Sequence, residues 1–366
     1  MRSQTTQMSE LLTILIPTYN RYARLRRLLR YLASIRTSYR VLVLDSSSEA
    51  LDSNELSARL AGEHILYLRY EPTLPFMQKV FDGLSHVSSP YAVLWADDDF
   101  LVPATFEEGL HLLEQEQGIS VVHGRSGLFR IETRHIQWVA PYLQRSIPDE
   151  TASARLLNHL RGYTVMWYSI HRTEKLRSNV QNILQHSLDL HTWGEIALSA
   201  LDVIQGKAVA LPRLYMVREG HEGMGSVQIQ RERGLDPFDW LTDSTFTRQH
   251  GSYEQFRDCL VEELLQHEAL DLEQAREVVK EGFWWYLMKQ MTEKWQFKDG
   301  RRHPQSVPQR LRTTLQNVQW LRQTWRKGRA WFPHRPTTMS LDALRQPWSR
   351  YHGDFLPIYQ AIVESP

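Results

Sequence analysis

Cysteine is almost absent from this sequence of 366 residues, since Cys259 is the only one. A single cysteine excludes an intrachain disulfide framework and a zinc site built from several cysteines, so nothing argues for secretion. Long apolar runs are missing as well. The first ten residues are polar, the apolar run after them is too short for a signal-peptide core, and no window reaches the length of a membrane span. We therefore expect a cytoplasmic protein.

An excess of charge of one sign is also lacking, because the formal net charge is only +1 at pH 7. The molecule as a whole has no electrostatic pull toward nucleic acid or membrane, so any such attraction must come from local segregation of charge. The length suits one large domain with an appendage, or two domains.

The first hundred residues alternate between continuous apolar runs and amphipathic stretches. The runs predict strands at 11–17, 40–44, 64–69 and 91–95, with a helix after the first strand and another at 76–86. Such a pattern is typical of a parallel sheet covered on both faces by helices. Farther along, we predict helices at 105–117, 153–159, 188–204, 253–266 and 272–295, and strands at 119–123 and 207–217.

Polar clusters follow three of these strands: Thr18–Asn20, Asp45–Ser48 and Asp97–Asp99. Ligands of parallel sheets bind beyond the carboxyl ends of the strands, so the three clusters are expected to meet in one crevice. The adjacent carboxylates of Asp97, Asp98 and Asp99 repel one another, and a divalent cation that also binds a diphosphate would relieve that repulsion. A solvated acidic loop, or a set of helix N-caps, is the alternative interpretation.

The order of these motifs resembles the family-2 type glycosyltransferases. Their first strand ends in Pro-x-Tyr-Asn, present here as Pro17 to Asn20. Their second strand ends in an acidic residue at the position of Asp45, and their metal motif is followed by a proline, here Pro103. A bacterial subgroup has a lysine in the preceding helix and then Tyr-x-x-Leu-x-Ala-Asp-Asp-Asp-Phe, which matches Lys79 and Tyr91–Phe100.

The resemblance covers roughly residues 11–225 and implies an α/β GT-A fold, that is, a Rossmann-like, mostly parallel nucleotide-binding sheet flanked by helices, with an α-helical C-terminal extension. We expect a GT-A domain over 1–228, divided into a nucleotide-binding half at 11–103 and an acceptor half at 104–228. A helical region is expected over 229–366.

By the same resemblance, Pro17, Tyr19 and Asp45 hold the nucleobase, and Arg21 reaches the diphosphate. Asp97 and Asp98 are assigned to the ribose and sugar. The implied metal, Mn²⁺ or Mg²⁺, is assigned to Asp99 with Asp97 and His221. Lys79 either contacts the base or phosphate, in place of an arginine that relatives carry, or is a solvated helix lysine. One departure is Ser46-Ser47-Ser48, where most relatives have a second acidic residue before Gly-Ser.

An inverting transferase needs a general base for the acceptor hydroxyl, and relatives supply a carboxylate from a helix start in the second half of the fold. Glu195 in Trp193-Gly194-Glu195 is the first choice and Asp189 the second, although the helix dipole alone also favours a glutamate there. Trp193 either stacks on a sugar or lies in the core. The glycine-rich stretch after the last predicted strand is either a closing loop, with Arg218 on phosphate, or a plain linker.

Residues 301–335 hold nine Lys or Arg and no acidic residue. At 308–332, apolar residues and arginines alternate at helical spacing, which suits either an anionic membrane surface or packing on the 11 acidic residues of segment 253–300. No nucleic-acid-binding module accompanies this patch.

These features together predict a metal-dependent, inverting glycosyltransferase that moves a sugar from a nucleotide-sugar, expected to be a UDP-sugar, to a glycan or lipid-linked acceptor in surface polysaccharide synthesis. It would be cytoplasmic, either free or peripheral on the inner face of the membrane. The alternatives are a degenerate glycan-binding or scaffolding relative and a nucleotidyltransferase, which would normally carry a glycine-rich, lysine-containing phosphate loop after the first strand. The donor sugar, acceptor, linkage and oligomeric state stay open.

Overall fold

The computed structural model describes residues 10–35, 39–49, 64–130, 135–137, 144–220, 237–298 and 338–363. Four parallel strands form one half of its sheet in the order β3-β2-β1-β4. Their bounds are β1 Leu12–Thr18, β2 Arg40–Asp45, β3 Ile65–Arg69 and β4 Tyr91–Leu94. The sequence predictions for these four strands are confirmed to within one residue at each end. Continuous apolar runs predict them well because both faces of β1, β2 and β4 are covered.

Three helices cover this half: α1 Tyr22–Ser34, α2 Phe76–Ser85 and α3 Pro103–Gln115. Helix α1 buries the four predicted leucines, at 25, 28, 29 and 32, against the sheet. Helix α3 has a proline in its first turn, where the missing N–H costs no hydrogen bond.

The second half of the sheet mixes strand directions. Its strands are β5 Phe100–Leu101, β6 Ile119–Arg130, β7 His135–Gln137, β8 Ile170–Arg172 and β9 Lys207–Glu219. Strand β8 lies between β4 and β6 and is antiparallel to both, whereas β9 is parallel to β6 and antiparallel to β5. The pairing of β5 with β9 brings the residues after the aspartates next to the end of β9. Its helices are α4 Ala152–Arg161, α5 Thr173–Gln185 and α6 Glu195–Gln205.

The helix predicted at 188–204 is confirmed from residue 190 onward, but its first turn is not α-helical. Ser187 has a left-handed backbone (φ 54°), and residues Leu190–Gly194 form one π-helical turn before α6 begins at Glu195. Gly194 donates its N–H to the carbonyl of Asp189 at 2.8 Å, and a side chain at Gly194 would lie 3.0 Å from that same oxygen. The glycine therefore permits a wider turn that apolar periodicity does not reveal.

The C-terminal residues pack onto the sheet domain. They form α7 Pro237–Thr242, α8 Ser244–His250, α9 Tyr253–His267, α10 Leu272–Lys298, β10 Thr338–Ser340, α11 Leu341–Leu344 and α12 His352–Val363. Strand β10 extends the sheet beside β7, and Leu341 and Phe355 join the core formed by β1 and α1. Helices α9 and α10 pack on α4 and α6 at the other face. The predicted boundary at residue 228 stays a prediction, since both cores include residues from beyond it.

No helix within the described ranges combines the length and the apolar character that crossing a bilayer requires.

Candidate active site

The turns after β1 and β2 are joined to each other and to the aspartates. The Thr18 hydroxyl donates to Asp97 Oδ2 at 2.7 Å. Asn20, whose left-handed backbone (φ 54°) suits its short polar side chain, donates its N–H to Ser47 Oγ at 2.7 Å and accepts from the N–H of Ser48 at 2.9 Å. Thus the serines that replace the relatives' second acidic residue hold the two turns together.

Lys79 is buried, so the interpretation as a solvated helix lysine is wrong. Its Nζ reaches across from α2 and donates to the carbonyl of Thr18 at 3.0 Å and to Ser46 Oγ at 2.8 Å. Burial lowers the pKa of Lys79 to about 8, while the negative charges of Asp45 and Asp97 oppose that shift. Lys79 therefore ties the ends of β1 and β2 together from within the protein.

Asp45 is buried at the end of β2 and is surrounded by donors. Its Oδ1 accepts from the N–H of Ser47 at 2.8 Å and from the hydroxyl of Ser47 at 2.5 Å. Its Oδ2 accepts from the Tyr67 hydroxyl, and lies 3.0 Å from both the Tyr22 hydroxyl and Arg69 Nη1. Burial by itself would raise the pKa of Asp45, but the hydrogen bonds from Ser47, Tyr67 and Tyr22 outweigh it and lower the pKa.

Sequence reasoning missed Tyr22, Tyr67 and Arg69 as partners of Asp45. A signal existed for Arg69, because the parallel register of β2 and β3 pairs it directly with Asp45. Nothing local marks the two tyrosines, which come to Asp45 from α1 and β3.

Arg21 bridges two of the three aspartates. Its Nη1 lies 2.9 Å from Asp97 Oδ1, and its Nη2 donates to Asp98. Arg27, a second arginine of α1 that sequence reasoning did not single out, donates to the carbonyl of Asp98 at 3.2 Å and pairs with Glu219. The arginine-rich start of α1 thus neutralises the acidic motif in this state.

Asp99 faces the end of β9. The Nε of Arg218 donates to Asp99 Oδ2 at 2.9 Å, and the N–H of Glu219 donates to Oδ1 at 3.1 Å. The guanidinium of Arg218 also stacks on the ring of Tyr168 at 4.8 Å. The pairing of β5 with β9 produces this contact across 119 residues of sequence.

The acidic motif is strained electrostatically in spite of its arginines. Burial raises the pKa of Asp97 to about 6 and that of Asp99 to about 7, opposed by Arg21 and Arg218 respectively and reinforced by the negative charge of Asp98. Asp97 Oδ1 is buried, and among the described residues it pairs with Arg21. The solvated acidic loop is therefore the wrong interpretation, since all three side chains are buried.

The two candidate bases have different surroundings. Glu195 is partly buried at the first turn of α6, 3.4 Å from the Tyr163 hydroxyl, and feels the charge of Arg218. Burial raises its pKa, while Arg218 and Tyr163 oppose the rise. Asp189 lies before the π-helical turn, where its Oδ2 is 3.5 Å from Nδ1 of His250 in α8. Glu195 therefore experiences the positive charge of Arg218, the residue that pairs with Asp99.

Other predicted residues can be placed briefly. Tyr19 is 51% exposed in the turn after β1, and Pro17 is partly exposed near the end of that strand. Trp193 is fully buried and donates to the carbonyl of Gly251 at 3.0 Å, so it belongs to the core. His221 and segment 308–332 lie outside the described residues.

Within the described residues, no three His, Cys, Asp or Glu side chains are arranged so that they could hold a metal ion as they stand. The burial of the three aspartates and the raised pKa values of Asp97 and Asp99 nevertheless fit a site that can take an additional cation.

Comparison with known proteins identifies the segment that carries these turns. Residues 13–177 match the model of Glycosyl transferase family 2. This segment is a family 2 glycosyltransferase domain. The protein is therefore a glycosyltransferase, and the predicted fold class is confirmed. No curated protein matches the chain.

Among solved structures, the domain resembles S. aureus TarS 1–349 in complex with UDP-GlcNAc. The TM-score is 0.54 at 15% identity, over 78% of this chain and 75% of TarS. TarS 1–349 in complex with UDP aligns with a TM-score of 0.42 at 14% identity, over 79% of this chain and 92% of that one. At these identities the first likeness shows a shared GT-A fold.

Proposed function

We propose that this glycosyltransferase takes its sugar from a UDP-sugar and transfers it, with inversion, to a glycan or lipid-linked acceptor of a surface polysaccharide. The observation that carries the proposal is the cluster of contacts between the turns that follow β1, β2 and β4. A buried acceptor at Asp45, the exposed ring of Tyr19 and the Arg21-bridged aspartates meet there.

In the proposed donor complex, the base stacks on Tyr19 beside Pro17, and its imide N–H donates to Asp45. Asp45 already has donors on both oxygens, so one of them must give way. Arg69 is the one we expect to move, because its side chain is one-third exposed.

The diphosphate is proposed to draw Arg21 and Arg218 away from the aspartates, since guanidinium groups pair with phosphate oxygens as well as with carboxylates. Asp97 and Asp99 would then hold Mn²⁺ or Mg²⁺, and Asp98 the ribose or sugar. The predicted participation of His221 stays a proposal. A divalent ion at this position supplies Lewis-acid stabilisation to the departing nucleoside diphosphate.

Glu195 is proposed as the base that accepts the proton of the acceptor hydroxyl. Its raised pKa makes it a stronger base than an ordinary glutamate, and Tyr163 orients its carboxylate. Asp189, which pairs with His250 of α8, is the second candidate.

The test is manganese-dependent hydrolysis of UDP-GlcNAc, measured together with calorimetric binding of UDP. We expect turnover by the wild type and a loss of about a hundred-fold or more for Asp99→Asn. Glu108→Gln is the matched control, because Glu108 pairs with Arg213 at the surface at 2.8 Å, away from the crevice.

Two results would contradict the proposal. A scaffolding relative would bind neither UDP nor manganese, and full activity of Asp99→Asn would show that the metal assignment is wrong. A nucleotidyltransferase is disfavoured, because Pro17–Asn20 stands where its phosphate loop would be.

A further inference from the structure

Helix α10 carries six consecutive large apolar residues, from Phe283 to Met288. Phe283, Tyr286 and Leu287 are buried, and the first two belong to the core that α10 shares with α4 and α9. Because successive helical residues are about 100° apart, such a run cannot be buried on one side. The helix consequently has a second apolar surface.

That second surface consists of Trp284, Trp285 and Met288, and we call it the tryptophan face. Trp284 is 59% exposed, Trp285 47% and Met288 46%. Positions three and four apart in a helix are neighbours, so Met288 adjoins both tryptophans and the three form one patch. Contiguous exposed apolar side chains of this size mark a surface that meets a partner.

Charge along the helix indicates which partner. Before and beside the face, acidic residues are matched by cations: Glu273 by Arg276 at 2.9 Å, and Glu277 by Lys280 at 3.0 Å. Beyond the face, residues 289–335 contain 12 Lys or Arg and only two Asp or Glu. In the sequence, the apolar patch is therefore followed by a strongly basic stretch, which begins with Lys289 in α10 itself.

Arg161 from α4 adds a cation at the face itself. Its guanidinium lies 5.3 Å from the ring centre of Trp285 and pairs with Glu281 at 2.8 Å, while the indole N–H of Trp285 donates to Glu281 at 3.3 Å. Trp285 is thus held in an outward orientation.

We propose that the tryptophan face binds the surface of a membrane that contains anionic lipids. Tryptophan suits the boundary between lipid headgroups and acyl chains, and neighbouring lysines and arginines attract anionic headgroups. A second copy of the chain is the alternative occupant, and the experiment distinguishes it from a membrane. The proposal does not depend on the sugar-transfer reaction.

The experiment is co-sedimentation of the full chain with vesicles of phosphatidylcholine alone, or of phosphatidylcholine and phosphatidylglycerol at a ratio of three to one. We expect binding to the anionic vesicles that weakens as salt is raised. Trp284→Gln combined with Trp285→Gln should weaken that binding about ten-fold or more, because two large apolar side chains no longer enter the interface. Trp348→Gln is the control, since Trp348 is 72% exposed but lies between α11 and α12; it should bind as the wild type does.

Equal binding by the double variant and the wild type would overturn the proposal, as would absence of wild-type binding to anionic vesicles. Light scattering tests the alternative partner. If the wild type is a dimer that does not bind vesicles, and the double variant is a monomer, the partner is a second copy of the chain and the membrane proposal is overturned. The single variant Trp284→Gln leaves the contacts of Trp285 intact and keeps the test valid if the double variant does not fold.

Hydrolysis of UDP-GlcNAc without vesicles should be unchanged in all three variants. Vesicle binding without any hydrolysis would count against the proposed function only.

Discussion

Replacing Asp45 with asparagine tests how far the end of β2 depends on a buried carboxylate. In the more favourable orientation, the amide oxygen takes the place of Oδ2 and still accepts from Tyr67 and Arg69. The amide NH₂ then takes the place of Oδ1 and faces the N–H of Ser47, a donor that now has no acceptor.

The magnitude follows from these contacts. An unsatisfied buried donor costs about 1–3 kcal/mol, and each remaining bond also loses the strength that it owed to the carboxylate charge. We therefore expect Asp45→Asn to lower the free energy of unfolding by about 2–4 kcal/mol. Tyr67→Phe, which removes one donor and leaves the charge, should lower it by about 1–2 kcal/mol.

Urea denaturation at neutral pH measures both changes, and its pH dependence checks the cause. Because folding lowers the pKa of Asp45, its contribution is present above the ordinary aspartate pKa and is lost as the pH falls through the folded value. The gap between the wild type and Asp45→Asn should thus narrow below about pH 4. A loss of less than about 1 kcal/mol at neutral pH, or a gap that does not narrow in acid, would refute the reasoning.

Three further changes have defined outcomes. Folding lowers the pKa of Lys79 to about 8, so the unfolded chain binds more protons than the folded chain between about pH 8 and pH 10. The free energy of unfolding of the wild type, measured in urea, should therefore rise with pH across that window relative to that of Lys79→Met. Parallel pH curves for the two proteins would contradict this. Glu195→Gln should reduce sugar transfer by about a hundred-fold or more. Tyr163→Phe removes a hydrogen bond that lowers the pKa of Glu195, so it should shift the acid limb of the pH profile of kcat/KM to higher pH. An acid limb that does not move would favour Asp189 as the base. Arg218→Lys should slow UDP-GlcNAc hydrolysis about a hundred-fold, because lysine does not reproduce the guanidinium fork, and unchanged turnover would exclude Arg218 from the diphosphate site.

The sequence by itself determined the parallel half of the sheet. Strands β1, β2 and β4 are buried on both faces, so their apolar runs predict them without reference to any distant residue. The turns at Pro17–Asn20, Asp45–Ser48 and Asp97–Asp99 follow directly, because the carboxyl ends of parallel strands meet at one edge of a sheet.

Only the tertiary structure decided what those side chains contact. The cation beside Asp99 is Arg218, which the pairing of β5 with β9 brings there from 119 residues away. Likewise, Lys79 has the local pattern of a solvated helix lysine and is in fact buried beneath two strand ends. Periodicity also missed the π-helical turn before Glu195, since it depends on one glycine and its carbonyl contact. Local pattern reports which residues are apolar, whereas charge pairing between distant segments depends on the strand order, and only the folded chain establishes that order.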